Sequence, residues 1–296
     1  MGRTTAKLHN WFYTITDDGG LTIHFYGGNQ VATQLTDGAA IGLTQKTDYP
    51  WDGKVEIKID AAPEHSFPLS LRIPGWVENP TVTVNGAAWS GATPGSYLKI
   101  NRKWAAGDVV HLDLPMPVRM MVANPKVEKL QHRMAVMRGP VVYAMELPKA
   151  AGGEAIWLDG VFLSEGVQLQ PEYRKDFLGG MTVLVGDALT FAGVEQYLAL
   201  NPGVQAPAGT GAGALYQPVA ARAVKMPETG TVELTLIPYY AWANRGLAYM
   251  DVWMPVATRD SLARQKKVRA AHLRTIQKQQ MAAKARKNEI SQAGPF

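Results

Sequence analysis

Two aspartates in the N-terminal half lie close enough in sequence to act as an acid and a base. Asp48 and Asp52 flank Tyr49 and Trp51, so aromatic rings stand beside two carboxyl groups. Glycoside hydrolysis uses paired carboxyls that face each other across a cleft, about 5–5.5 Å apart for retention or about 6.5–9.5 Å apart for inversion. The alternative is a turn formed by Asp52 and the glycine after it, with Trp51 packed at a domain interface. We favour the turn, because turn chemistry alone explains these residue types.

A second candidate site is an aromatic segment near the end of the strand-like part of the chain. Tyr239, Tyr240 and Trp242 precede Asn244 and Arg245, between two apolar runs. The rings could stack on a sugar while the Asn and Arg side chains hydrogen-bond its hydroxyl groups. The same segment could instead be a rigid loop that docks one domain on another, with Trp242 packed and not displayed. We favour docking, because strands of buried type flank the loop.

The composition excludes several other kinds of site. The 296 residues contain no cysteine, which excludes disulfides, thiolate metal ligands and a cysteine nucleophile within this chain. The six histidines show no pair at metal-ligand spacing. The sequence also lacks a Gly-x-Ser-x-Gly elbow, a phosphate loop and a dinucleotide fingerprint. We therefore expect no catalytic residue, no metal site and no cofactor in this chain.

The alternation of apolar and polar residues predicts the elements that position these side chains. Runs of period two, such as residues 54–60 and 109–114, are separated by turn residues, as half-buried strands are. A second set of strand-like runs follows a proline-punctuated stretch at residues 115–125. The pattern predicts an all-β protein with two tandem antiparallel β-sandwich domains, at residues 14–118 and 119–257.

The two ends of the chain depart from the strand pattern. Residues 1–13 predict a short helical stub with Leu8, Trp11 and Phe12 on one face, and such an apolar face favours self-association or a separate partner chain. Residues 258–296 predict a basic tail, helical or disordered, with ten of the 30 Lys and Arg residues and two of the 25 Asp and Glu residues. The rest of the chain is mildly acidic.

The basic tail could contact nucleic acid or an anionic membrane. It lacks interleaved aromatic residues, and its apolar face is too narrow for membrane insertion. We therefore favour a solvated helix or a disordered extension over a nucleic-acid contact, with a membrane excluded as partner and carbohydrate kept as a candidate ligand. The N-terminus lacks the apolar core of a signal peptide, so the sequence predicts a soluble protein with the cytoplasm as its default location.

Four motifs in a fixed order resemble the bacterial beta-L-arabinofuranosidase family, glycoside hydrolase family 127. They are TQKTDYPWDG at residues 44–53, LRIPGW at 71–76, RGPVVY at 138–143 and IPYYAWANRG at 237–246. Their shared order over about residues 3–257 is more specific than any one motif. The resemblance implies that the family's catalytic helical barrel lies upstream of these motifs and that the stub corresponds to the last helix of that barrel.

The resemblance also implies that catalysis in this family belongs to the barrel and not to the C-terminal part. Complete members are expected to release terminal beta-L-arabinofuranose with retention, using a cysteine nucleophile beside a zinc ion held by cysteines and a glutamate. None of these residues can be assigned to this chain, which has no cysteine. The sequence therefore predicts the non-catalytic C-terminal part of such an enzyme, inactive alone, with zinc expected only in full-length relatives.

Two other functions remain open at this point. One is a stand-alone carbohydrate-binding module, which requires exposed, coplanar tryptophans. The other is an enzyme with a site within the sandwiches, which requires a cleft with converging carboxylates.

Overall fold

Antiparallel strands account for most of the regular structure, and the predicted all-β class is confirmed. The structure is a computed structural model, which describes residues 7–148, 160–210, 213–246 and 248–292. The chain divides into two units: Met1–Pro117 with Arg138–Val141, and Val118–Met137 with Val142–Phe296.

The first unit is a sandwich of two sheets. Its strands are β1 (Tyr13–Ile15), β2 (Leu21–Ile23), β3 (Asn29–Gln34), β4 (Ala40–Thr47), β5 (Lys54–Ala61), β6 (Ser66–Ile73), β7 (Thr81–Val84), β8 (Ala87–Trp89), β9 (Ser96–Lys103) and β10 (Val109–Asp113). One sheet has the order β1-β2-β6-β9 and the other β3-β4-β5-β10-β7-β8. All pairs are antiparallel except β2 with β6.

Alternate residues of both sheets meet in a single apolar core. Leu69 and Leu71 of β6 and Ile57 and Ile59 of β5 are fully buried, while the residues between them face outward. Trp104 is 1% exposed, and its Nε1 donates to the Phe67 carbonyl at 3.2 Å. Period two in the sequence thus reflects one buried and one solvated face of each sheet.

Within its described residues, the second unit has nine strands and two α-helices. Its strands are β11 (Val118–Ala123), β12 (Arg133–Arg138), β13 (Val141–Pro148), β14 (Gln170–Arg174), β15 (Met181–Leu189), β16 (Tyr216–Val219), β17 (Thr231–Pro238), β18 (Ala248–Asp251) and β19 (Met254–Pro255). Seven follow the order β14-β15-β17-β13-β12-β11-β16, while β18 pairs with β13 and β19 with β12. The turn between β12 and β13 belongs to the first unit.

The two helices pack together at one side of the second unit. Helix α1 (Phe191–Leu200) is capped by Thr190, whose Oγ1 accepts a hydrogen bond from Gly193 N at 3.3 Å. Helix α2 (Arg259–Gln292) begins after Thr258, which caps Ser261 N at 3.2 Å. Its first turns bury Leu262 among the residues of α1, whereas almost all described side chains beyond residue 266 are exposed. The predicted basic helix therefore exists and is largely solvated.

The helical stub is only partly described. Residues 1–6 lie outside the described residues, and Leu8–Trp11 form a short 3₁₀ helix. Leu8 and Trp11 are 43% and 49% exposed, whereas the Phe12 ring lies 5.8 Å from the ring of Phe25.

Among the residues that the structure describes, no helix has the length and apolarity needed to span a bilayer.

Candidate functional site

The segment between β17 and β18 presents three aromatic side chains to solvent. We call residues 239–246 the aromatic turn. It begins with the 3₁₀ helix Tyr239–Ala241 directly after Pro238, which ends β17. Tyr239, Tyr240 and Trp242 are 49%, 53% and 38% exposed. The Trp242 ring is therefore partly packed and partly accessible to solvent.

The turn is fixed by contacts of its own residues. Ala241 is 2% exposed and packs in an apolar cluster with Ile237, Met181 and Val183. The Trp242 indole Nε1 donates to the Ala248 carbonyl at 3.0 Å, which satisfies its polar group without burying the whole ring. The Asn244 amide donates to the Ala241 carbonyl at 3.1 Å. The sequence predicts that the Asn244 side chain hydrogen-bonds a sugar or takes part in docking. In the structure, its amide nitrogen instead donates a hydrogen bond within the turn.

A buried carboxylate on β13 fastens the other half of the turn. The side chain of Glu146 is 4% exposed, and its two oxygens accept a hydrogen bond from Ala243 N at 3.1 Å and form an ion pair with Arg245. The Arg245 guanidinium also lies 4.1 Å from the centroid of the Phe177 ring. A carboxylate removed from water requires such partners. Glu146 therefore holds both Arg245 and the backbone of Ala243, which has a φ of 63°.

The aromatic turn carries recognition chemistry and no acid–base pair. Its accessible groups include three aromatic rings, held on a backbone that the buried carboxylate of Glu146 fixes. Fixed rings can cover the apolar face of a sugar or the surface of a protein, at a low entropic cost. The one carboxylate at the turn, Glu146, is buried and occupied, so the arrangement supports binding or docking.

The other candidate segment, residues 48–52, forms a tight turn in the first unit. Trp51 N donates to the Asp48 carbonyl at 2.9 Å, and the Asp52 carboxylate accepts from Lys54 N at 2.9 Å. Trp51 is 52% exposed, and its carbonyl accepts from Arg138 at 2.8 Å. Burial raises the pKa of the Tyr49 hydroxyl, and a side-chain hydrogen bond with Trp76 opposes that rise. Asp52 is thus committed to its own turn.

The residues of this chain do not fit a thiolate zinc site. The chain has no cysteine, and its described residues contain no group of three or more His, Asp and Glu side chains placed to hold a metal ion. His24 follows directly after β2, and both of its ring nitrogens have hydrogen-bond partners: the Tyr97 hydroxyl at 2.7 Å and the Thr14 hydroxyl at 2.9 Å. No step of a zinc–cysteine mechanism can be placed on these side chains.

Sequence reasoning missed the two residues that organise the aromatic turn. Glu146 lies 99 residues before Arg245, and Phe177 lies in the connection between β14 and β15. A single signal was available: Glu146 is a lone charge within the apolar run of β13, and a charge in such a place requires a partner. Nothing in the sequence identifies Arg245 as that partner.

Comparisons with known proteins agree on one family. The model described as "Beta-L-arabinofuranosidase, GH127 middle domain" matches residues 20–116, and the model of the glycoside hydrolase family 127 C-terminal domain matches residues 118–255. A curated relative from Bifidobacterium longum subsp. longum, the non-reducing end beta-L-arabinofuranosidase, is 33% identical over 265 residues. That alignment covers 86% of this chain and 36% of the relative.

Solved structures give the same result. A glycoside hydrolase is 34% identical with a TM-score of 0.68, over 86% of this chain and 39% of that one. A GH127 beta-L-arabinofuranosidase from Geobacillus stearothermophilus T6 is 32% identical with a TM-score of 0.66, over 86% and 36% of the two chains. The chain thus spans somewhat more than a third of the length of the relatives that it matches.

Proposed function

Because the chain belongs to glycoside hydrolase family 127, whose middle and C-terminal domains it contains, we propose that it is the β-sandwich accessory portion of a beta-L-arabinofuranosidase-like enzyme. In this role it supports a catalytic portion and is inactive alone. The observation that carries the proposal is the pairing of two adjacent family domains with a complete absence of cysteine. The family resemblance implies a cysteine nucleophile, and this chain cannot supply one.

The aromatic turn supplies a surface suited to this role. Tyr239, Tyr240 and Trp242 are exposed on a backbone fixed by Glu146. Tyr and Trp are enriched among the residues that anchor protein interfaces. We assign these rings to docking of a catalytic portion. Asp48, Tyr49, Trp51 and Asp52 form a second, smaller rigid turn and are assigned the same docking role in the first unit.

Turnover by the purified chain tests the proposal. The chain is incubated with an aryl beta-L-arabinofuranoside, with and without zinc, beside a heat-inactivated control. We expect no turnover above the control under either condition. Zinc-stimulated turnover would show that this chain carries its own catalytic site and would overturn the proposal.

The exposed rings favour one alternative function, that of a stand-alone carbohydrate-binding module. In that case arabinose-containing oligosaccharides bind to the aromatic turn directly. Calorimetry with the wild type and with Trp242→Ala separates the two roles. Binding that is lost in Trp242→Ala, while the variant remains folded at the assay temperature, supports the module. Absence of binding at the turn supports docking.

A further inference from the structure

A cavity of about 630 Å³ lies in the second unit among residues that the aromatic turn does not include. Its walls are the end of β11 at Val122 and Ala123, residues 130–133, loop residues 204–208 and the start of α2 at residues 258–260. The volume is within the range of small-molecule sites, about 300–1,000 Å³. Apolar Val, Ala and Pro side chains form much of the wall, with a few polar side chains between them.

One wall residue has a strained backbone and an unsatisfied ring nitrogen. His132 has a φ of 61°, a left-handed conformation that a residue with a Cβ seldom adopts. Its Nδ1 is buried and has no hydrogen-bond partner among the described residues. The backbone is held there because the His132 carbonyl accepts from Val256 N at 2.9 Å. Residues held in sparsely populated backbone conformations cluster at functional sites, and a buried polar atom without a partner is rare enough in native proteins to require an explanation.

Two adjacent residues at the start of α2 bring opposite charges to the wall. Arg259 and Asp260 line the cavity and are exposed, and neither side chain makes a hydrogen bond or an ion pair within the described part of the chain. The neighbouring Arg133 is already paired with Asp251 at 3.0 Å. The free groups are therefore one strong donor and one strong acceptor, with no net charge.

This balance selects the class of ligand. An anion would be attracted by Arg259 and repelled by Asp260, whereas a cation would be repelled by Arg259 and attracted by Asp260. A hydroxyl group both donates and accepts, so a compound with several neighbouring hydroxyls satisfies both side chains at once. The Val, Ala and Pro side chains match the C–H faces of such a compound.

We propose that this cavity binds a neutral sugar, as a mono- or oligosaccharide, separately from the aromatic turn. The choice of arabinose-containing sugars as the first probes rests on the function proposed above, whereas the polyhydroxyl class rests on the cavity. The cavity holds the sugar without reaction, because Asp260 faces no second carboxylate among its wall residues.

Calorimetric titration of the full chain with arabinose and with arabino-oligosaccharides tests this proposal. We expect the affinity for the sugar to fall about tenfold or more in Arg259→Ala and in Asp260→Asn, because each variant loses a hydrogen bond between the sugar and a charged group. Both positions are exposed, so the fold should persist. Arg274→Ala, on the exposed part of the same helix, is the control and should bind as the wild type does.

The variant His132→Gly separates a binding role from a structural one. Glycine adopts a positive φ without strain, so we expect a melting temperature equal to or above that of the wild type, with weaker sugar binding. Preference for a uronic acid over the neutral sugar, binding that is lost in Trp242→Ala but kept in Arg259→Ala, or no binding at millimolar sugar would each overturn the proposal. None of these outcomes bears on the turnover assay.

Discussion

The carboxylate of Glu146 and the guanidinium of Arg245 form an ion pair across 99 residues, and only the carboxylate is buried. The side chain of Glu146 is 4% exposed, while that of Arg245 is 49% exposed. Removal of the two partners should therefore have unequal effects. Without Glu146, Arg245 can turn to water, but without Arg245 a buried charge loses its main partner.

We expect Glu146→Ala to lower the free energy of unfolding by about 1–3 kcal/mol, since Ala243 N also loses its acceptor. Arg245→Ala should cost as much or more. Urea denaturation measures both. Glu172→Ala is the matched control, because Glu172 and Arg174 form an exposed pair for which about 1 kcal/mol or less is expected. Equal losses in Glu146→Ala and Glu172→Ala would contradict the clamping role of Glu146.

Two tryptophans with similar hydrogen bonds differ in burial. Trp104→Ala should cost about 3–5 kcal/mol, because that ring is 1% exposed in the core of the first unit. Trp242→Ala should cost about 1–2 kcal/mol, because its ring is 38% exposed and loses one hydrogen bond to Ala248. Thermal melting compares the stability of the two variants. A loss of stability in Trp242→Ala as large as that in Trp104→Ala would show that the aromatic turn is part of a core.

The glycine of the 48–53 motif is required by a close backbone approach. A Cβ at Gly53 would stand 1.9 Å from the Leu114 carbonyl oxygen, so the two segments would have to separate. We expect Gly53→Ala to lose about 2–4 kcal/mol of stability. In the other unit, a Cβ at Gly203 meets nothing within 4 Å, and Gly203→Ala should change stability by about 0.5 kcal/mol or less. Chemical denaturation of both variants tests the contrast.

Glu165 should make stability depend on pH. Burial of its carboxyl raises its pKa, and the charge of Arg222 and a hydrogen bond from the Gln205 backbone oppose that rise. The Tyr197 hydroxyl, whose pKa burial also raises, lies in the same cluster. A raised carboxyl pKa means that the folded state retains the proton more strongly than the unfolded chain does. The stabilisation is therefore complete below the unfolded pKa, about 4.3, and is lost as pH rises through the folded pKa.

The variant Glu165→Gln should accordingly gain stability relative to the wild type as the pH increases from about 4 to about 7. Melting temperatures of both proteins across this range give the difference. Glu228→Gln, at an exposed position, serves as the control and should show no such trend. A difference that stays constant with pH, or that reverses, would contradict the assignment.

The exposed side chains of the N-terminal 3₁₀ helix should govern association. We propose that Leu8 and Trp11, 43% and 49% exposed, contact a second copy or a catalytic partner chain. The double variant Leu8→Ser and Trp11→Ser should reduce self-association seen by light scattering without a change in melting temperature. Phe12→Ser is the contrast, because its ring packs near Phe25 and its loss should lower stability. A strictly monomeric wild type at high concentration would refute self-association.

Local signals in the sequence were sufficient for several elements. Period two identified strands of the first unit such as β5 and β10, because each of these strands has one buried and one solvated face. High helix propensity without proline or glycine identified α2. Ordered motifs identified the family, and the absence of cysteine excluded a thiolate site, both without any geometry.

Other local elements were overlooked although the sequence held a signal. Helix α1 follows Thr190, with Phe191, Val194 and Tyr197 at helical spacing. Strand β11 lies in the stretch interpreted as a proline-punctuated crossover. There Pro115, Pro117 and Pro125 border the strand and lie outside its residues, so β11 still pairs with β16, an edge strand that itself contains Pro218.

Tertiary structure alone decided how the candidate site is built. The sequence showed Tyr239, Tyr240 and Trp242, but their exposure depends on how Glu146 and Phe177 hold the turn. It also gave no indication of the cavity beside His132, whose walls come from four separate segments. Periodicity reports which face of an element is buried, because that depends on near neighbours along the chain. A partner for a buried charge is chosen by packing between distant segments, and no local pattern encodes it.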